Sequence, residues 1–150
     1  MNRYFNIGLS GVTAALIAAA AAGLSAQVQA GGTDASTPVN LGAVRIPRAV
    51  KADGKPLPVG TYQVRVTTQQ AQPAAPGQTP SYERWAEFVQ GGQVKGREVV
   101  TIVPASDIGQ VADGKPPRAG GYKTELLKGD DYLRLWINRG GNHYLVHFAI

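Results

Sequence analysis

Residues 122–150, YKTELLKGDDYLRLWINRGGNHYLVHFAI, decide the fold: Gly129-Asp130 and Gly140-Gly141 punctuate three runs of alternating apolar and polar side chains. Two-residue connections between such runs are β-hairpin turns, and a hairpin turn sets the register of both its strands. Folding about Gly129-Asp130 places Leu126 opposite Leu133, Thr124 opposite Leu135 and Tyr122 opposite Ile137. Folding about Gly140-Gly141 places Ile137 opposite Tyr144, Leu135 opposite Val146 and Leu133 opposite Phe148. Both turns nominate the same apolar face, and a slip of one residue in either would invert it. A three-stranded meander is expected, with Leu133, Leu135 and Ile137 directed to the core.

The same registers arrange the opposite face in rows: Lys123, Trp136 and Leu145, then Glu125, Arg134 and His147, then Leu127, Tyr132 and Ala149. Parity directs these side chains to solvent. Lys123 over Trp136 and Glu125 beside Arg134 are cross-strand pairs, each able to stabilise an exposed sheet by a few tenths to about 1 kcal/mol without any ligand. An aromatic, a tyrosine and leucines among charges also suit a docking patch. Lys123, Tyr132, Arg134, Trp136, Leu145 and His147 are therefore the candidate interaction face.

Upstream, ADGKPLPVGTY at 52–62 and ADGKPPRAGGY at 112–122 agree at seven of eleven positions. Self-similarity at a fixed offset reads as duplication, with units of about 44–103 and 104–150; shared turn grammar is the alternative reading. The first unit is expected to repeat the meander. Tyr62, Val64 and Val66 point inward on one strand, followed by residues 82–90, whose inward face is ambiguous, and 97–103. Residues 39–46 form an earlier strand whose apolar parity changes between Leu41 and Val44, which a bulge at Gly42 reconciles. The Gln/Ala/Pro segment from Thr68 to Pro80 offers no core side chain and reads as a surface loop. Seven or eight short strands, with no helical pattern after Leu24, give an all-β class: an antiparallel β-sandwich or a partly open barrel.

The segment Pro56-Leu57-Pro58-Val59-Gly60-Thr61-Tyr62-Gln63-Val64 resembles the strand entry of exported bacterial β domains of the carboxypeptidase-regulatory or prealbumin-like kind, and of small secreted bacterial proteins. That resemblance spans about ten residues, implies a β-sandwich setting and carries no activity.

At the N-terminus, Arg3 precedes a nearly unbroken apolar run from Ile7 to Leu24, and small residues close it at Leu24-Ser25-Ala26 and Val28-Gln29-Ala30. This is the plan of a signal peptide over residues 1–30, cleaved after Ala26 or Ala30. Export to the periplasm or the extracellular space is the expectation. Residues 31–38 then form a flexible lead-in, and 39–150 a single β domain. An uncleaved anchor is the rival reading, since the run approaches the shortest membrane span, but alanine dominates it.

The chain has no cysteine, so disulfides, thiol chemistry and an acylated-cysteine anchor are excluded. Its net charge of +5 is spread singly along the sequence with no basic run, which argues against a nucleic-acid partner. His143 and His147 are the only histidines, about 13 Å apart along one strand, too far to share a metal with bonds of about 2 Å. Exposed strand histidines are the expectation. Glu83 and Glu87, the one carboxylate pair on a common strand face, are separated by a similar ~13 Å, beyond glycosidase spacing. No nucleophile elbow or phosphate loop occurs. No cofactor and no catalytic residue is expected. The functional expectation is a non-catalytic exported module that contacts a protein or envelope component, with a small-ligand or glycan binder as the alternative and an enzyme the remotest.

Overall fold

The computed structural model describes residues 37–71, 83–127 and 129–150. The expected signal peptide, all but the end of the expected lead-in, Tyr82 and most of the Thr68–Pro80 segment lie outside them. The chain forms β1 (Val39–Ile46), β2 (Val50–Ala52), β3 (Lys55–Leu57), β4 (Gly60–Gln70), β5 (Glu83–Gln90), β6 (Gln93–Pro104), a one-turn helix α1 (Ile108–Val111), β7 (Tyr122–Leu127), β8 (Tyr132–Arg139) and β9 (Asn142–Ala149). β4 runs to Gln70, paired with Arg84, so residues 68–70 are strand where a loop was expected.

All pairings are antiparallel, in the order β1-β4-β5-β6-β9-β8-β7, with the β2–β3 hairpin joined to β9 through Lys51 and Ala149. The sheet is single and curls into an open half-barrel, one of the two arrangements the sequence allowed. Six antiparallel steps separate the outer strands β1 and β7, so these edges run parallel and cannot close as one more antiparallel ladder. A side chain spans them: the Arg45 N–H donates to the Tyr122 hydroxyl at 3.0 Å.

The C-terminal registers agree with the hairpin reading at every position named above. The turns at Asp53-Gly54, Gly91-Gly92, Gly129-Asp130 and Gly140-Gly141 each hold both central residues at positive φ. That twist matches the twist of the strands they join. The register of β1 shifts between Asn40 and Gly42, with Gly42 at φ +88, which is the bulge that restores Val44 and Ile46 to the core side. Gly42 also faces the Arg139 guanidinium, where a Cβ would stand 3.2 Å from Nη2.

The main core lines the inner face. Leu41, Val44, Ile46, Tyr62, Val64, Val66, Phe88, Leu135, Tyr144 and Phe148 are all buried there. Phe88 packs edge-on against both Tyr62 and Phe148, with centroids 6.3 and 5.1 Å apart. The ambiguity in β5 is resolved by Ala86 and Phe88 facing inward. The β2–β3 hairpin contributes Val50, Ala52 and Leu57 to the same core. It packs tightly against Gly96, where a Cβ would meet Leu57 Cδ1 at 3.1 Å.

The two echoed segments have different surroundings. Asp53-Gly54 turns between β2 and β3, whereas Asp113-Gly114 lies in the irregular connection from β6 to β7. Tyr62 is buried with its hydroxyl on the Pro58 carbonyl at 2.7 Å, and Tyr122 sits on the edge strand, 41 % exposed. Each copy is followed by a meander of three strands, β4–β5–β6 and β7–β8–β9.

Candidate functional site

The connection over residues 105–121 folds back across the outer face of the sheet and changes the character of the nominated face. Ile108 and Ala112 close over Val103, Trp136 and Leu145 as a second apolar cluster. Trp136 is 0 % exposed, Leu145 3 % and Arg134 7 %. The expectation that these three face solvent is thus corrected. Parity does point them away from the main core, but a covering segment removes them from water. Tyr132 and His147 are exposed and Lys123 is half-buried, so the six residues do not form a continuous open patch.

What they form is a polar fastening around the Trp136 indole. Lys123 Nζ lies 4.5 Å from the ring centroid and the Arg134 guanidinium 4.9 Å from it. Glu125 binds Lys123 Nζ at 3.0 Å and also accepts from the Arg134 guanidinium, whose Nη2 in turn donates to the Asp113 carbonyl at 3.0 Å. Partial burial opposes charge on Glu125, but the hydrogen bonds from Lys123 and Arg134 outweigh it and hold the carboxyl below its ordinary range. Asn138 ties the far end of the connection: its Nδ2 donates to the Pro117 carbonyl at 2.9 Å, and its backbone exchanges bonds with Gly120 and Gly121. The connection is held to the sheet by apolar packing and side-chain bonds together.

His143, expected at the surface, is 3 % exposed. Trp136 Nε1–H donates to His143 Nδ1 at 2.9 Å, which selects the neutral tautomer protonated on Nε2. Burial pushes the His143 pKa below its ordinary value of 6.5. The unfolded chain therefore binds more protons than the folded one as pH falls through 6.5, and stability declines in that window toward the folded pKa. Thermal melts from pH 8 to pH 5 should show falling Tm. His143→Asn keeps a side-chain acceptor but cannot take the proton, and should reduce this slope, leaving the share of His147, whose pKa desolvation and the Arg134 charge also lower. An unchanged slope would place the titration elsewhere.

Among the described residues, the outer face of β4–β6 carries no comparable fastening. The register there aligns Arg65, Glu87 and Arg97 across three strands and sets Trp85 opposite Val99. Arg65 Nε binds Glu87 Oε2 at 2.6 Å, and the Arg97 guanidinium lies 4.3 Å over the Trp85 ring while its Nε reaches Asp53 Oδ2 at 3.1 Å. Trp85, Glu87, Val89 and Val99 are all partly exposed. The sequence reading passed over this array because the inward face of β5 was ambiguous. The Gly91-Gly92 turn could not have settled it, because the ladder it starts slips between Phe88 and Val89, so that Phe88 faces Gly96 and Trp85 faces Val99.

Glu83 does not join Glu87 as a pair. It is buried, Oε2 lacks a hydrogen-bond partner, and burial raises its pKa. Among the described residues no group of three or more His, Asp or Glu side chains could hold a metal ion. A shallow cleft of ≈ 190 Å³ borders the Arg97 end of the open face, lined by Asp53, Lys55, Val94, Lys95 and Arg97 among others. No model of a known protein family, no curated protein and no solved structure matches the chain.

Proposed function

We propose that the chain is an exported, non-catalytic interaction module that binds a protein or envelope component through the outer face of β4–β6. The observation that carries this reading is Trp85, partly exposed beneath Arg97 on a sheet face with paired charges and, among the described residues, no covering segment. The sheet buries its other tryptophan, Trp136, completely. Tryptophan and arginine are the residue types most enriched where binding energy concentrates. Export rests on the signal-peptide plan of residues 1–30, whose small-residue exits invite processing.

A small-ligand or glycan binder is the weaker reading. The cleft beside Arg97 is small against the roughly 300–1,000 Å³ of ligand pockets. One face of Trp85 is already occupied by the guanidinium.

Trp85→Ala decides between a docking and a purely structural role. Its expected cost in stability is about 1 kcal/mol or less, because the ring is only partly buried. Capture of a partner from envelope extract should be lost. A variant that retains full capture, or unfolds as a core truncation would, overturns the assignment of this face.

A further inference from the structure

The inner face of the half-barrel is sealed along β8 and open along β7. Leu133, Leu135 and Ile137 are at most 2 % exposed, whereas Tyr122 and Leu126, paired with Ile137 and Leu133, are 41 % and 40 % exposed. Among the described residues no strand pairs with the outer edge of β7. Of the usual edge protections it carries charge, at Lys123 and Glu125, but no proline and, along its six-residue ladder with β8, no register shift; among the described residues no strand takes up its outer backbone groups.

We propose that β7 pairs antiparallel with β7 of a second copy of this chain, about a twofold axis through Thr124. The sequence Tyr122-Lys123-Thr124-Glu125-Leu126 is self-complementary in that register. Lys123 stands opposite Glu125 of the second copy on the outer side, and Tyr122 opposite its Leu126 on the inner side. Symmetry makes each contact twice. Opposite charges and apolar pairs directly across a ladder are the favourable combinations, and like charges the unfavourable one. Centring the axis on Lys123 or Glu125 instead sets a like charge against itself, so charge selects Thr124. The pairing covers the two exposed inner-face side chains and satisfies both backbone edges at once.

The absence of cysteine makes the test clean. In the full chain, Thr124→Cys brings the introduced thiol opposite its own copy, and mild oxidation should give a covalent dimer. Asp130→Cys, in an exposed turn, serves as the collision control and should crosslink at least about tenfold more slowly, since it lies outside the ladder. Tyr122→Cys and Leu126→Cys should crosslink when the two variants are mixed and not when each is alone. Sedimentation of the unmodified chain should show a concentration-dependent dimer, and Leu126→Lys should raise its dissociation constant by about tenfold or more. A chain that stays monomeric overturns the proposal. So does a dimer that survives Leu126→Lys, or one that crosslinks no faster at 124 than at 130; either would belong to another surface.

Discussion

Trp136→Ala should cost about 3–5 kcal/mol, a large share of the roughly 5–15 kcal/mol that holds a domain folded. The indole is 0 % exposed and joins both sides of a cluster, Val103 and Leu145 on the sheet and Ile108 and Ala112 on the connection above it. Truncation opens a cavity between those layers. It also leaves His143 Nδ1 without its donor and removes the ring on which Lys123 and Arg134 rest. Both losses add to the cavity term, since a buried acceptor without a partner costs about 1–3 kcal/mol. Trp136→Phe should fall between, because it keeps apolar volume but not the N–H. Urea unfolding measures the cost, and limited proteolysis locates it: the 105–121 connection should become cleavable first. A loss below about 1 kcal/mol would mean that the indole is not covered as described.

Leu135→Ala should cost about 2–5 kcal/mol through the main core. Leu135 is 0 % exposed on β8, between Thr124 on β7 and Val146 on β9. Strands on both sides keep the backbone from collapsing into the space vacated, which puts the cost toward the upper half of the range. Equilibrium unfolding gives the value directly. The proteolysis pattern separates the two variants, since Leu135→Ala should lower global stability without exposing the connection first. A change smaller than half a kilocalorie would mean that Leu135 is not packed in the main core as described.

Legibility in the sequence followed the range of the interactions involved. A two-residue turn couples positions a few residues apart, so Gly129-Asp130 and Gly140-Gly141 set eighteen side chains on their faces by local geometry alone. The Gly42 bulge was legible for the same reason. Glycine at a change of apolar parity has one economical backbone solution, and the chain adopts it. Residues 108–112, by contrast, hold one turn of helix too short to show a period, although Ile108 and Ala112 stand four apart as a covering pair would.

What the sequence by itself determined is therefore the all-β class, the bulged first strand, the C-terminal meander and which face of β1, β4 and the three C-terminal strands turns toward the main core. Tertiary structure alone decided whether the other face meets water. Period-two alternation reports the side of a sheet on which a residue lies, and says nothing of what a distant segment lays over that side. Trp136 and His143 were placed on the right face and given the wrong solvent. Trp85, on the corresponding face of β5, stays partly exposed because the connection crosses β6, β9 and β8 on its way to β7 and leaves β4 and β5 behind.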